Sequence, residues 1–335
     1  MEPLLLLTIF ISFFSTFLVI PFWIRKAKQI GFLWEDMHKV GHPRNVAGSG
    51  GIIVLGGAII GILLYIAINV FLFQGGSENL TQIFALISAL FLGALVGFVD
   101  DIFGWQRGGL SARSRIILIL FAAIPLIVIN AGNSNMNLPF FGVANLGILY
   151  PLLVIPIGIV GATTTYNFLA GYNGLEAGQG IIILSTLAFV THKTGNSWLS
   201  IIALCMVAAL IGFYIFNKNP ARIFPGDVLT YSIGILIGGI AILGNIERLT
   251  ILLFIPYIIE TVLKSRGKLK KHSFGKLNSD GSLDQPYEKI YGLEHLAIKI
   301  LKKLKPSKKV YENDVVYLIH AFQIFIVLLV LFFTF

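Results

Sequence analysis

Cysteine and charge are both scarce in this chain of 335 residues. Its single cysteine, Cys205, lies in an apolar run and has no second cysteine to pair with, which excludes a fold held by internal disulfides. Only 12% of the residues are charged, whereas 56% are hydrophobic and the mean hydropathy is +0.85. These values exclude an ordinary soluble globular domain and predict an integral membrane protein.

Apolar runs long enough to cross a bilayer of about 30 Å recur along the chain, and they number about ten. They lie near residues 3–24, 50–73, 82–99, 116–130, 147–162, 179–191, 198–216, 228–244, 249–263 and 314–335. Several are short or interrupted by glycine and proline, so a re-entrant segment and a count that differs by one or two stay open. We predict an all-α polytopic membrane protein with a single domain, residues 1–335.

The basic residues predict which helix ends face the cytoplasm, because Lys and Arg concentrate in cytoplasmic loops. With the N-terminus outside and the loops alternating, 23 of the 25 basic residues fall inside, and only Lys193 and Arg248 fall outside. An even number of spans then also places the C-terminus outside. The same bias accounts for the net charge of +9, so no nucleic-acid partner is expected.

Five polar segments fall on the predicted inner face, at 34–51, 100–115, 166–180, 217–227 and 264–289. The predicted outer loops, 73–82 and 130–147, hold little that can do chemistry. A transporter or flippase is expected to carry ionisable residues near mid-span, whereas this pattern gathers them at one interface. It favours an enzyme that joins a dissolved substrate to a membrane-anchored one. A non-catalytic protein that binds lipid or nucleotide is a third interpretation.

Carboxylates in these segments are candidates for catalysis and metal binding. Asp100 and Asp101 end an apolar run in GFVDD, where they suit metal binding or deprotonation of an acidic nucleophile; solvation at a membrane edge is the alternative. Asp227 follows the Pro-Gly pair of RIFPGD, as either a helix N-cap or a Mg²⁺ ligand. Glu176 is the only charged residue between positions 115 and 193, so we expect it to have a partner or a task.

Amides and cations complete the candidate set. Asn167 and Asn173 lie in the glycine-rich stretch NFLAGYNGLEAGQG, where amides suit a base or a sugar and a simple turn is the alternative. His272, in KKHSFGK, suits phosphate contact or acid–base work. Basic residues from four predicted inner loops are candidates to surround a diphosphate, although positive-inside bias explains each one separately. They are Lys39, Arg44, Arg115, Arg222, Lys270 and Lys271.

Three motifs together resemble a known family. GFVDD (97–101), NFLAGYNGLEAGQ (167–179) and RIFPGD (222–227), in this order and separated by apolar runs, resemble the polyprenyl-phosphate N-acetylhexosamine-1-phosphate transferase superfamily, or glycosyltransferase family 4. LAGYNGLEAGQ is similar to its eukaryotic and archaeal branch, the UDP-N-acetylglucosamine:dolichyl-phosphate N-acetylglucosaminephosphotransferases. Bacterial members typically have DGxDGL there and end with a histidine-rich HxxHH signature. The resemblance covers nearly the whole chain.

The resemblance implies transfer of N-acetylglucosamine 1-phosphate from UDP-N-acetylglucosamine to a dolichyl-type polyprenyl phosphate, with release of UMP, as the first membrane step of N-glycan assembly. It implies a Mg²⁺ requirement, with Mn²⁺ as a substitute left open, and an active site on the cytoplasmic face of a cell or endoplasmic-reticulum-type membrane. Another UDP-N-acetylhexosamine, used for a cell-wall or surface polysaccharide, stays open. So does a homodimer.

The resemblance also assigns roles to residues. Asn167 and Asp227 match the Mg²⁺-holding positions, and Asp100 and Asp101 match the acidic pair near the attacking lipid phosphate. Asn173 matches a residue of the uridine pocket. The other positions matching substrate contacts are Lys39, Arg115, Lys271 and His272, and Glu176 and Arg222 are added as substrate-binding candidates from their place in the polar segments.

Two positions depart from the family pattern. Arg115 stands where the family usually has lysine, and Ser273 stands where eukaryotic members carry the last arginine of an Arg-His-Arg run. The predicted cytoplasmic element, 264–313, lies between the last two membrane helices. Within it, KLNSDGSLDQ predicts a hairpin that covers the donor site, and GLEHLAIKILKKLKPSKK predicts a basic amphipathic helix suited to an anionic surface.

Overall fold

The computed structural model describes residues 3–73, 79–138 and 142–335. The helices in these ranges are α1 (Pro3–Ile30), α2 (Gly51–Ala67), α3 (Leu80–Arg107), α4 (Ala112–Val128), α5 (Ile155–Phe168), α6 (Leu175–Lys193), α7 (Ser197–Asn217), α8 (Gly226–Leu243), α9 (Glu247–Leu253), α10 (Ile255–Arg266), α11 (Leu293–Leu304) and α12 (Glu312–Thr334). Short π-helical turns continue α2 at Ile68–Leu72 and precede α5 at Tyr150–Val154.

Within these ranges, three antiparallel pairs of strands lie between helices. They pair β1 (Leu33–Glu35) with β2 (Arg44–Ala47), β3 (Asn135–Leu138) with β4 (Gly142–Asn145), and β5 (Lys276–Leu277) with β6 (Leu283–Asp284). The predicted outer loops at 73–82 and 130–147 lie partly outside the described residues.

Eight helical segments of the described chain are long and apolar enough to cross a membrane, so this is a polytopic helical membrane protein. They are Leu4–Ile30, Gly51–Leu72, Leu80–Gln106, Tyr150–Phe168, Leu175–Lys193, Ser197–Asn217, Gly226–Leu243 and Glu312–Thr334. The other two predicted spans also fall on helices, but α4 has 17 residues, and α9 and α10 have only 7 and 12. The count of ten and the placement of the termini therefore stay predictions.

Helix α8 lies at the centre of the bundle and is more buried than the other seven membrane-spanning segments. Two glycines let neighbouring helices approach its first turn closely. A Cβ at Gly97 in α3 would lie 2.6 Å from the backbone of Asp227, and a Cβ at Gly51 in α2 would overlap the backbone of Leu229. Because only glycine permits these approaches, the starts of α2 and α8 and the second half of α3 meet at one point.

All five polar segments converge at one end of the bundle, which we call the polar end. Residues 34–51 and 217–227 pair through Ala47, whose N–H donates to Arg222 O at 3.3 Å and whose carbonyl accepts from Phe224 N at 2.8 Å. Residues 166–180 contact 264–289, where Gly275 N donates to the Tyr172 hydroxyl at 3.1 Å. The remaining segment, 100–115, joins them through Asp101 and Ser49. Their predicted gathering on one face is confirmed by these contacts.

The segment 264–313 contains both elements expected from its sequence. Strands β5 and β6 form the predicted hairpin, with Gly281 in the left-handed region at φ +78°. That this hairpin covers the donor site stays a prediction. Helix α11 covers the predicted amphipathic stretch, and its apolar face, including Leu293 and Ile298, is buried against the protein. Leu304 at its end is exposed. Contact with an anionic surface stays a prediction.

Candidate active site

A cleft of about 630 Å³ opens at the polar end. Residues from the first polar segment, α3, the α5–α6 loop, the start of α8 and the loop before β5 all contribute to its wall. The predicted site residues that line it are Arg44, Asp101, Asn167, Asn173, Glu176 and Asp227, whereas Asp100 and Arg115 are not among its lining residues. Two of these sequence candidates, Asp101 and Asp227, are 126 positions apart in the chain and meet in this cleft.

Asp101 binds the first turn of α8. Its Oδ1 accepts a hydrogen bond from Asp227 N at 2.7 Å, and its Oδ2 accepts one from Ser49 Oγ at 2.6 Å. Gly226 lies beside this carboxylate with φ +69°, and a Cβ at that position would overlap Asp101 Oδ2. Since a negative charge is stabilised at a helix N-terminus, Asp101 both caps α8 and fixes the position of Asp227.

Asp100 has different partners and is only 2% exposed. Its Oδ1 accepts hydrogen bonds from Leu110 N at 2.7 Å and from Arg115 Nη2 at 3.1 Å, while its Oδ2 lies 2.5 Å from Arg115 Nε. The Tyr231 hydroxyl donates to Oδ2 at 3.3 Å. Arg115 Nη2 also lies 4.0 Å from Asp227 Oδ2. One guanidinium therefore connects Asp100 in α3 with Asp227 in α8.

Asn167 and Asp227 bring oxygen atoms to the cleft from α5 and α8. Thr230, one turn after Asp227, donates its hydroxyl to Asn167 Oδ1 at 3.0 Å and so links the Asn167 side chain to the first turn of α8. No cluster of three or more His, Cys, Asp or Glu suited to a metal occurs among residues 3–73, 79–138 and 142–335. Mg²⁺ nevertheless takes one or two protein ligands where substrate phosphates supply others. This oxygen pair therefore fits a Mg²⁺ bound together with a phosphate.

Asn173 is held by acids from two other segments. Its backbone N–H donates to Glu312 Oε1 at 2.8 Å, and its side-chain Nδ2 donates to Asp36 Oδ2 at 3.1 Å and to Glu312 Oε2 at 3.4 Å. Lys39 belongs to the same network, since its Nζ donates to Glu312 Oε2 at 2.8 Å and to Asn219 Oδ1 at 2.7 Å. Lys39 is therefore placed behind Asn173, and it does not line the cleft.

Glu176 holds the α5–α6 loop. Its Oε1 accepts a hydrogen bond from Gly171 N at 2.8 Å, and its carbonyl oxygen accepts one from the Tyr166 hydroxyl at 2.6 Å. Gly171 has φ +109°, a conformation that favours glycine. The partner expected for this isolated carboxylate is thus the backbone of the loop that carries Asn173.

Three predicted substrate-binding residues are exposed and lie away from the cleft wall. The Lys271 ammonium lies 4.7 Å from the centre of the Tyr287 ring, and His272 N donates to the Tyr287 hydroxyl at 3.3 Å. The Arg222 guanidinium lies 4.7 Å from the centre of the Phe216 ring. Substrate contact by these three residues stays a prediction.

Known proteins resemble the chain over most of its length. Residues 83–245 match the family model described as glycosyl transferase family 4. Over 298 residues the chain is 39% identical to a putative UDP-N-acetylglucosamine–dolichyl-phosphate N-acetylglucosaminephosphotransferase of Saccharolobus solfataricus, covering 88% of each protein. The chain belongs to glycosyl transferase family 4.

Two other members show how broad the similarity is. A Sulfolobus acidocaldarius protein with the same putative name is 34% identical to this glycosyl transferase over 300 residues, covering 89% of this chain and 88% of the relative. The phospho-N-acetylmuramoyl-pentapeptide-transferase of Enterococcus faecalis is 31% identical over 268 residues, covering 76% and 79%. The resemblance read from the three motifs is confirmed.

Three residues of this glycosyl transferase site, Asp36, Ser49 and Glu312, were missed by the sequence reasoning. Asp36 and Ser49 lie in the first polar segment, where charge drew attention only to the basic residues. Glu312 is the first residue of α12, where an acid has the simpler explanation of favouring a helix start. A usable signal for Glu312 was its position just before the last apolar run, on the predicted inner face.

A second group of buried charges packs against the end of α5, the helix that carries Asn167. Lys264 lies 3.4 Å from Glu260 Oε1 and also donates to the carbonyl of Phe168, the residue after Asn167. Leu293 N donates to Glu260 Oε2 at 2.5 Å at the start of α11. Burial, together with the charge of Glu260, raises the pKa of Glu294 well above its usual range. The group thus joins α10 and α11 to the end of α5.

Proposed function

We propose that this protein transfers N-acetylglucosamine 1-phosphate from UDP-N-acetylglucosamine to a dolichyl-type polyprenyl phosphate, releasing UMP. The names of two archaeal relatives, at 39% and 34% identity, support this donor and acceptor. The observation that carries the proposal is the cleft wall, which combines an oxygen pair, Asn167 and Asp227, with the amide of Asn173 at the polar end of a membrane bundle. A diphosphate and a nucleotide need such groups together.

The chemistry is a phosphoryl transfer between two anions. An oxygen of the lipid phosphate attacks the β-phosphorus of the donor, the bond from that phosphorus to the bridging oxygen breaks, and UMP leaves with the electron pair. Positive groups near the phosphates lower the barrier because they offset charge on the transferred group. Arg44 lines the cleft, and Arg115, which is 36% exposed, lies 4.0 Å from the cleft-lining Asp227; both are candidates to supply such charge.

The two neighbouring aspartates contribute through their partners in this scheme. Asp101 positions Asp227, because both of its oxygens already accept hydrogen bonds. Asp100 positions Arg115 by contacting two of its nitrogens. Since a phosphate monoester is mostly ionised near neutral pH, removal of one last proton from the acceptor is the most that a base has to do.

Mg²⁺ is the metal proposed for this site, with Asn167 and Asp227 as its protein ligands. When bound, it supplies charge neutralisation on the donor diphosphate. The side chains of Thr230 and Asp101 hold these two ligands in place from α8 and α3. Mn²⁺ prefers the same oxygen ligands and is expected to substitute for it.

The proposed setting is a cell or endoplasmic-reticulum-type membrane, with about ten spans, both termini outside and the polar end in the cytoplasm. The distribution of the basic residues supports this orientation, because 23 of 25 fall on the side of the polar segments. A water-soluble nucleotide sugar and the headgroup of a membrane lipid can both reach a cleft at that interface.

The proposal is tested by incubating purified protein with UDP-N-acetylglucosamine, a polyprenyl phosphate and Mg²⁺. We expect UMP and pyrophosphate-linked lipid in equal amounts, loss of both with EDTA, and recovery on adding Mg²⁺. Asp227→Asn should abolish turnover, whereas Asp280→Asn on the β5–β6 hairpin should retain it.

The same assay with other donors and acceptors distinguishes the alternative substrates. UDP-N-acetylmuramoyl-pentapeptide and other UDP-N-acetylhexosamines replace the donor, and undecaprenyl phosphate replaces the dolichyl acceptor. Turnover of a different sugar in preference would overturn the assigned donor but retain the reaction. Absence of UMP release from every donor, or turnover indifferent to EDTA, would overturn the proposed reaction or its metal.

A further inference from the structure

Glu312 is a buried acid that the scheme above does not use. It is 4% exposed, begins α12 and does not line the cleft. Its carboxylate contacts Lys39 Nζ at 2.8 Å and lies 3.4 Å from His38 Nδ1, while the backbone N–H of Asn173 donates to it at 2.8 Å. One carboxylate thus connects the start of the last span to the first polar segment and to the α5–α6 loop.

The acids around Asn173 determine which way its amide points. A carboxylate only accepts hydrogen bonds, so the Asn173 atom facing Asp36 Oδ2 at 3.1 Å and Glu312 Oε2 at 3.4 Å must be the Nδ2 donor. Rotating the amide by half a turn would place Oδ1 against two carboxylates, where like partial charges repel. The network therefore excludes the flipped amide.

The fixed amide leaves one polar atom available to a ligand. Asn173 lines the cleft, and no hydrogen bond to its Oδ1 occurs among residues 3–73, 79–138 and 142–335. The side chain therefore presents an acceptor to the cleft. An acceptor pairs with the N3–H of a uracil ring, whereas the unprotonated N3 of cytosine is itself an acceptor and would face it with a lone pair.

We infer that Glu312, together with Asp36, is a positioning residue that orients the Asn173 amide and thereby makes the cleft select uracil over cytosine. The inference rests on the proposed uridine-nucleotide donor. A site built around one hydrogen-bond polarity discriminates against the analogue with the opposite polarity, because its own polar group would be left unpaired.

Binding of UMP and CMP to the purified full-length protein tests this without turnover. Calorimetric titration in the presence of Mg²⁺ gives the two dissociation constants, and their ratio is the measure of base selectivity. We expect the wild-type protein to bind UMP at least about tenfold more tightly than CMP. Glu312→Gln and Asp36→Asn each replace a carboxylate, which only accepts hydrogen bonds, with an amide, which can also donate. Each should reduce the CMP-to-UMP ratio of dissociation constants severalfold, and the double variant should reduce it most.

A matched control and a double-mutant cycle separate orientation from general loosening. Asp314→Asn changes an acid in the same first turn of α12, where Asp314 contacts Lys305 and Tyr311 N and not Asn173. It should lower stability without changing the ratio. In an Asn173→Ala background the ratio should already be small, and Glu312→Gln should change it no further.

The outcomes distinguish this inference from the proposed function. If the wild type binds UMP and releases UMP from the donor, but folded Glu312→Gln and Asp36→Asn keep the wild-type ratio, the inference is wrong and the function stands. If Glu312→Gln does not fold, the base selectivity of Asp36→Asn, measured alone and in the Asn173→Ala background, decides whether the inference holds. A wild type that binds CMP as tightly as UMP overturns the inference. A wild type that binds neither and turns over no UDP-sugar overturns both.

Discussion

Asp101 shows how one side chain can act on the site through the backbone of another helix. Its carboxylate accepts the Asp227 N–H at 2.7 Å and the Ser49 hydroxyl at 2.6 Å. Asp101→Ala leaves these two donors without their acceptor, which should lower the free energy of unfolding by about 1–3 kcal/mol. Asp101→Asn retains one acceptor and should lose less, about 0.3–1 kcal/mol, from the missing charge at the helix N-terminus.

Thermal unfolding of the purified variants in detergent checks this order of stabilities. UMP release should fall more in Asp101→Ala than in Asp101→Asn, because Asp227 shifts only when its backbone loses its partner. Asp280→Ala, on an exposed hairpin, is the control. Equal unfolding temperatures for wild type and Asp101→Ala would show that Asp101 does not hold α8.

Individual residues of the site were predictable where sequence context isolates them. Asp227 after a Pro-Gly pair and Glu176 alone in an apolar region both proved to be partnered polar groups at the polar end. The different roles of Asp100 and Asp101 were not predictable, since adjacent residues on a helix point about 100° apart and their partners come from other helices. Glu312 was missed because its contacts lie 139 and 273 positions away.

The packing of α3 on α8 depends on the absence of a side chain at Gly97. Gly97→Ala would bring a Cβ to 2.6 Å from the Asp227 backbone and push the first turn of α8 away. We expect a loss of about 1–3 kcal/mol in stability and a larger relative loss in UMP release, since the displaced turn carries Asp227. Unfolding temperature and turnover of the same preparation measure the two effects.

Gly56→Ala in α2 is the matched control for that substitution. A Cβ at Gly56 has no neighbour within 4 Å, and alanine favours a helix over glycine by up to about 1 kcal/mol. This variant should therefore be as stable as the wild type or slightly more so. If both alanines had the same effect, close approach of α3 to α8 would not be the cause.

The contact between α10 and α11 should make stability depend on pH. Burial, and then Glu260, raise the pKa of Glu294 above the ordinary value of 4.5. Between that value and the higher folded pKa, the folded protein keeps a proton that the unfolded chain has lost. Stability therefore falls as pH rises through this window. Glu294→Gln removes the proton requirement, so its gain in unfolding temperature over wild type should grow from pH 4.5 towards pH 8.

Other titratable groups near Glu294 also make the stability depend on pH. Glu260, Lys264 and Ser273 act on the Glu294 carboxyl, and burial lowers the pKa of the next residue, His295. A histidine that is held neutral by burial lowers the stability of the fold as pH falls below its ordinary pKa of 6.5. This pH dependence is opposite in direction to that of Glu294. Because His295 is present in both proteins, it cancels in the difference. Glu288→Gln, at an exposed position, should show no growing difference; an identical trend in both variants would contradict the role of Glu294.

Element boundaries could be predicted only where the apolar run and the helix coincide. The run 249–263 reads as one span, yet the structure breaks it into α9 and α10 at Phe254. Pro256 lies in the first turn of α10 and lacks the N–H that a continuous helix would need there. The DG turn of the β5–β6 hairpin was predictable, because its glycine supplies the positive φ that the turn requires.

At the scale of the whole molecule, the asymmetry of charge predicted that the polar segments share one face, and their contacts confirm it. It did not predict which basic side chains reach the cleft. Positive-inside bias acts on a loop as a whole, whereas contact with a ligand depends on the direction of one side chain. Arg222 and Lys271 illustrate the difference, since both lie over aromatic rings outside the cleft wall.

The orientation of the bundle in the membrane yields a prediction that chemical labelling can decide. Helix α6 begins beside the cleft and ends at Lys193, 19 residues or about 28 Å away, while Lys303 lies on α11 at the polar end. Cys205 is buried, so a membrane-impermeant maleimide should label the unmodified chain weakly. With the polar end in the cytoplasm, Lys193→Cys should react in intact cells, and Lys303→Cys should react only after permeabilisation. The reverse pattern would place the cleft outside, where cytoplasmic UDP-sugars do not reach it.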